Sequence, residues 1–202
     1  MKRSWLDEFI WKHIQWGNTK LPKSTAIFNM GSAHNCPSRH RGLCTFSEGE
    51  CYAFKAEVQY PDCEPYRTRQ EAVWRCFPAY SLALAFLDSF SRKRHEITKL
   101  RLNESGDFWT QGCVDKAEKI ARVLAEHGIV TYAYTHRSDL DFSNIKALRL
   151  RGSNFHREEL FGSFITIEKD YVRQAGDVIC PADCTDCTLC SDYDGDILAV
   201  RH

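Results

Sequence analysis

The stretch VDKAEKIARVLAEHGIVTYAYT, residues 114–135, decides how the chain must fold. Val114, Ala117, Ile120, Ala121, Val123 and Leu124 recur at helical spacing and make one apolar face. Gly128 follows as a helix stop, and residues 129–134 then read as a strand. A helix delivered so directly into a strand is half of a βα repeat, and the same order extends outward in both directions. Upstream, residues 97–102 alternate as a strand and end in the turn Ser105-Gly106-Asp107. Before them come a helix over 50–60, stopped by Pro61, and one or two helices over 64–90, with Pro78 as the candidate kink. An earlier strand at 25–30 is closed by Gly31. Downstream, Asp141 or Ser143 is placed to cap a helix at 144–149. Strands follow at 164–167 and 178–179.

Strands alternating with helices imply right-handed crossovers and a mainly parallel sheet. Five short strands are too few for a closed eight-stranded barrel. The expected class is therefore α/β, a partial (β/α) barrel or open parallel sheet, with a C-terminal cysteine-rich metal-binding extension. The organisation reads as a single α/β domain over 1–175, carrying a cysteine-bearing loop at 31–51, and an extension over 176–202. The unusual polar residues gather at the C-terminal ends of the strands: His34 and Cys36, then residues 104–107, then 135–139. That edge carries the chemistry in barrels and open sheets alike.

Composition sharpens the question. The 202 residues hold 27 basic and 27 acidic side chains, so no broad electrostatic footprint for nucleic acid or acidic lipid is expected. No apolar run approaches the roughly 20 residues of a membrane span. Asp7 and Glu8 stand where a signal peptide has its apolar core, so a cytoplasmic setting is expected. A chain of this length buries roughly 70% of its surface, enough for a core without staples. The 10 cysteines are therefore not needed as disulfides, and in a reducing compartment such clusters point to metal or redox work.

They divide into three groups. Cys180, Cys184, Cys187 and Cys190 form a continuous CxxxCxxCxxC run. A structural zinc site usually separates two CxxC pairs by a longer segment. The run has instead the intervals of a bacterial ferredoxin motif in reverse order. Iron–sulfur and zinc are the two options. Cys36, Cys44 and Cys51 are spaced widely, with seven and six residues between them. Three thiolates on a 4Fe-4S cluster leave one iron open, and such an iron can take the amino and carboxylate groups of S-adenosylmethionine. A Cys₃His zinc site using His34 or His40 is the alternative, as is one centre shared by both groups. Cys63, Cys76 and Cys113 carry no motif and are expected as buried thiols.

Among the other residues, Ser105, Gly106 and Asp107 form a small-residue turn with an acid that suits an ammonium group, although Asp107 also suits a helix cap. Thr135 and His136 end the next strand and could contact a ribose or substrate. Tyr52 could shield a cluster from water. Lys55, Arg67 and Arg69 are expected on a solvated face. Asp192, Asp194 and Asp196 are expected in a tail.

Taken in order over residues 18–190, several of these pieces resemble the phage gene product 88 family: Asn35-Cys36-Pro37, Cys51-Tyr52-Ala53, Glu57 with Tyr60-Pro61, Arg101 with Ser105-Gly106-Asp107-Phe108, Tyr132-Ala133-Tyr134-Thr135 and the closing cysteine run. The resemblance implies a phage or prophage origin and the cytoplasm of an infected or lysogenic bacterial host. The family is in turn similar, distantly, to radical S-adenosylmethionine proteins, with cysteines after the first strand of a partial barrel. Here the spacing departs from their short CxxxCxxC motif.

Two functions follow as expectations. One is an iron–sulfur enzyme of radical type with one or two clusters, acting on a nucleotide, nucleic acid or peptide. The other is a non-catalytic, metal-stabilised adaptor or inhibitor that binds a host protein or nucleic acid.

Overall fold

Gly128 takes φ +74°, and the backbone around it closes helix and strand together. Gly128 N–H donates to the Ala125 carbonyl, and Ile129 N–H reaches back to Leu124. This double closure needs a left-handed residue, which glycine supplies without steric cost. The computed structural model describes residues 2–201, and the rest of the chain is arranged around this junction.

The elements run α1 (Trp5–His13), β1 (Gln15–Trp16), β2 (Thr25–Phe28), α2 (Pro37–His40), α3 (Tyr52–Gln59), α4 (Cys63–Cys76), α5 (Ala79–Ser91), β3 (Lys99–Leu102), α6 (Gln111–Ala125), β4 (Val130–Thr135), β5 (Arg149–Ser153), β6 (Ser163–Ile167), α7 (Leu189–Asp192) and β7 (Ile197–Val200). The strands form one seven-stranded sheet in the order β1 to β7. Only β1 and β2 pair antiparallel; every later neighbour is parallel. The fold is thus mixed α/β with a mostly parallel sheet. Its spatial order follows the chain without reversal, so it has no switch-point crevice of the doubly wound kind.

Parallel register sorts the side chains by face. Ala26, Phe28, Leu100, Leu102, Ala133 and Leu150 share one face and join a core with Leu82, Phe86 and Phe90 of α5 and Val114, Ile120 and Leu124 of α6. Lys99, Arg101, Tyr132, Tyr134 and Arg151 project from the other face. One face is therefore oily and covered by helices. The other is cationic and phenolic.

Several expectations are corrected. No helix forms at 144–149: Glu118, buried on α6, accepts the backbone N–H groups of Ala147 and Leu148 at 2.9–3.1 Å, and Arg149 begins β5. Those N–H groups bond a carboxylate in place of an i−4 carbonyl. The strand expected at 178–179 is a single bridge from Ile179 to Leu198. The supposed tail forms α7 and then β7, which pairs with β6. The sheet has seven strands where five were expected. Pro78 does not kink one helix but separates two, α4 and α5.

Candidate functional site

The loops leaving β2, β3 and β4 meet at the C-terminal edge of the sheet, and Asp107 ties them together. Its Oδ2 accepts from the Ser38 hydroxyl at 2.6 Å and the His136 N–H at 2.8 Å. Its Oδ1 accepts from the Thr135 hydroxyl at 2.7 Å and the Phe108 N–H at 2.7 Å. A carboxylate offers about four acceptor positions, and all four are used. Three of the expected cofactor residues, Asp107, Thr135 and His136, are brought together here, but as a closed internal latch.

Ser105 and Gly106 sit beside it. Ser105 N–H donates to Asn29 Oδ1 at 2.8 Å, and its hydroxyl donates to Glu57 at 3.3 Å. Gly106 has φ +74°, and a Cβ there would lie 2.8 Å from the Gly31 carbonyl oxygen. The β2 and β3 loops therefore touch backbone to backbone, which only glycine permits.

Glu57 is the residue that sequence reasoning passed over. Its side chain is fully buried and ion-paired to Arg67 at 2.8 Å. It also accepts from the N–H groups of Ala33 and His34 at 2.7 and 3.0 Å and contacts His34 Nδ1 at 2.9 Å. These bonds hold its carboxyl below its ordinary range despite burial. Arg67, expected on a solvated face, is buried against it; Lys55 and Arg69 are exposed. The available signal was the i, i+4 pairing of Ala53 and Glu57 on the buried side of α3.

The N-terminal thiols hang on this frame. Cys36 stands immediately before α2 and Cys51 immediately before α3. Cys44 is folded back between them, its N–H bonded to the Ser38 carbonyl at 3.2 Å. Cys44 lies within electrostatic range of Cys36, Cys51 and Asp107. Burial, reinforced by the Asp107 charge, pushes the Cys36 thiol up to about 12. It is not a free nucleophile in this state. His136 stacks edge-on against Phe46 of the same loop at 5.8 Å. Its Nε2 is buried with no partner among the described residues, and burial lowers its pKa. Each imidazole of the zinc alternative has one ring nitrogen engaged, His34 Nδ1 by Glu57 and His40 Nε2 by the His34 carbonyl at 2.9 Å; such bonds orient a ring whose other nitrogen ligates a metal.

The C-terminal quartet lies on the opposite, cationic face. Cys180, Cys184, Cys187 and Cys190 all line one cavity of about 230 Å³, with Lys99, Arg101, Tyr132 and Tyr134 of the sheet beneath them. Arg151 fastens the segment. Its guanidinium donates to the carbonyls of Cys190 at 3.0 Å, Leu189 at 2.9 Å, Gly195 at 2.6 Å and also Tyr193. Lys99 Nζ donates to the Ser191 hydroxyl at 2.7 Å. Tyr134 and Cys190 lie side by side in the lining of this cavity.

Among the described residues, no three His, Cys, Asp or Glu side chains are drawn close enough to hold one metal ion. The remaining cysteines divide. Cys113 packs against the core and Cys63 is half-buried. Cys76, expected to be buried, is exposed.

The sequence profile of the Gene product 88 family matches residues 9–191, nearly the whole chain. The protein belongs to this family of phage gene products. No curated protein and no solved structure matches it. Among the described residues no helix is long and apolar enough to cross a membrane.

Proposed function

We propose that the chain is an iron–sulfur protein with two cysteine centres of different character. The observation that carries this is the convergence of all four C-terminal thiols on one cavity of about 230 Å³. A cavity of that size has room for a cluster among its lining thiols. On this reading Cys180, Cys184, Cys187 and Cys190 hold a closed auxiliary 4Fe-4S cluster. Cys36, Cys44 and Cys51, at the C-terminal sheet edge, hold a second cluster with one iron open. Zinc at either site is the competing metal.

The open iron is where S-adenosylmethionine would bind, making the protein a radical-type enzyme acting on a nucleotide, nucleic acid or peptide. The residues of the chain have defined parts in this. Asp107 has no acceptor position left for an ammonium group, so its part is to seat the loops that carry Cys36 and Thr135. Gly106 lets the loop after β3 pack directly on the Gly31 backbone, which fixes the two loops against each other. His136, with its unpartnered Nε2, is the side chain at this edge free to bond a bound cofactor.

The saturation of Asp107 and the clamp of Arg151 also favour a second reading, a metal-stabilised adaptor for a host protein or nucleic acid. One anaerobic experiment separates them. The protein is reconstituted with iron and sulfide, its iron and zinc per chain are measured, and dithionite and S-adenosylmethionine are added. The enzyme reading expects a brown protein that forms 5′-deoxyadenosine. A brown protein that forms none supports the adaptor. A colourless protein that keeps stoichiometric zinc overturns the cluster assignment.

A further inference from the structure

One side chain touches the surroundings of both cysteine groups. Arg101 projects from β3 onto the cationic face and lines the cavity of the quartet. Its Cζ lies 5.4 Å from the ring centre of Tyr134, which lines the same cavity as Cys190. On its other side its Nη2 stands 3.4 Å from the Tyr52 hydroxyl. Tyr52 follows Cys51, opens α3, and donates to the Glu104 carbonyl at 2.5 Å. The Glu104 carboxylate comes to 4.0 Å from Nη1. Arg101 Nε is buried with no partner among the described residues. The side chain is 17% exposed, so its charge is poorly screened. A guanidinium keeps its proton at any working pH, which makes that charge permanent.

A fixed cation beside a thiolate-held cluster favours the more negative, reduced form, because an added electron raises the negative charge it faces. Two neighbouring cations of this face are committed: Arg151 to four carbonyls, Lys99 to Ser191. Arg101 alone among these three also reaches toward the trio.

We propose that Arg101 is the positioning residue that couples the two centres: its charge raises the reduction potential of the quartet centre, and its contact with Tyr52 seats the start of α3 and hence Cys51. This inference rests on the cluster reading above.

The test uses the full chain carrying Cys36→Ser, Cys44→Ser and Cys51→Ser, so that only the quartet contributes colour. Its potential is measured by anaerobic titration, dithionite supplying one electron to the oxidised cluster with no bond made or broken. Arg101→Gln is expected to weaken reduction about tenfold, equal to about 59 mV for one electron, with the potential moving down. Arg101→Lys keeps the charge and is expected to restore most of it. In the chain with the trio intact, Tyr52→Phe leaves the Arg101 charge in place. It is expected to speed loss of trio iron to a chelator several-fold, and in the trio-serine chain to leave the quartet potential unchanged. If Arg101→Gln does not fold, the contrast between Arg101→Lys and Tyr52→Phe carries the test. A folded, brown Arg101→Gln protein with an unmoved potential overturns the coupling and leaves the cluster reading standing. A colourless trio-serine protein overturns both.

Discussion

Around the N-terminal thiols the fold is held by carboxylates; beneath the C-terminal thiols it is held by cations. Asp107 and Glu57 gather N–H and hydroxyl donors from loops that leave strand ends, while Arg151 gathers the carbonyls of a segment lying across a sheet face. The difference follows from what each backbone presents. Loops turning out of strands expose N–H groups, which need an acceptor. The cysteine run, by contrast, turns its carbonyls toward the sheet and needs donors. Burial raises the thiols at both sites, but the neighbouring charges act in opposite senses. Asp107 disfavours the Cys36 thiolate, while Arg151 and Arg101 favour that of Cys190, against its burial. One group is discouraged from ionising until a metal displaces its protons. The other has its charge partly answered in advance.

The comparison breaks most severely at Arg151. Arg151→Met leaves four carbonyls without their donor and is expected to cost about 4 kcal/mol. Iron should be lost from the quartet while the trio keeps its own, and residues 178–196 should become the first site of proteolytic cleavage. Denaturant unfolding, iron analysis and limited proteolysis check these. Equal iron loss from both centres would show that the two groups are not independently anchored.

Asp107→Asn is the counterpart at the other site. An amide keeps one acceptor oxygen and turns an NH₂ toward two donors, so the expected loss is about 3 kcal/mol. The trio should lose metal and the quartet should not. Ser38→Ala and Thr135→Val each remove one neutral donor and are expected to cost about 1 kcal/mol.

Much of this contrast is invisible in the sequence. The helix at Gln111–Ala125 and the strand at Val130–Thr135 are legible because periodicity and a glycine stop agree there. The strand edge is legible because polar clusters follow apolar runs. The seventh strand is not. Ile197-Leu198-Ala199-Val200 follows a run of aspartates, and its pairing with β6 depends on a neighbour about thirty residues away. The loop at 141–148 misled because Asp141 and Ser143 are good caps. The competing bond from Glu118 comes from another helix, and no local pattern announces it. The cysteines were legible as two separate groups, one in the loop after β2 and one in the run at 180–190. That Asp107 would be saturated, and that Glu57 and Arg151 would be the anchors, required coordinates: a lone acid or arginine in sequence does not say how many partners will converge on it.

The acid limb of stability sharpens the comparison further. Bonds to Leu148, Ala147 and Arg122 hold the Glu118 carboxyl below its ordinary value of 4.5, against the opposing effect of burial, and Glu57 is lowered likewise. A depressed carboxyl contributes stability above its unfolded value. That stability is lost as pH falls through 4.5 and on through the folded value. Unfolding followed from pH 7 to pH 3 should therefore show a decline that begins near 4.5. Glu118→Gln should lose about 1 kcal/mol at neutral pH and show a shallower decline. An unchanged slope would remove Glu118 from the account.

The smallest effects belong to the thiols outside both groups. Cys76→Ser, at an exposed position, and Cys63→Ser are expected to change stability by less than about 0.5 kcal/mol and to leave iron per chain unaltered. A loss of iron from either would reassign the ligands.

The unbroken strand order has a bearing on assembly. Because each parallel strand docks on the edge left by its predecessor, the sheet can grow as the chain emerges, with no later strand having to insert between two that are already paired. The trio and its Asp107 latch are complete once β4 is in place. Arg151 then waits, with its donors unmet, for a segment that arrives some forty residues later. On the cluster reading, a maturing chain would pass through a stage in which the first centre could be loaded and the second could not, so the topology would give the delivery of metal a fixed direction.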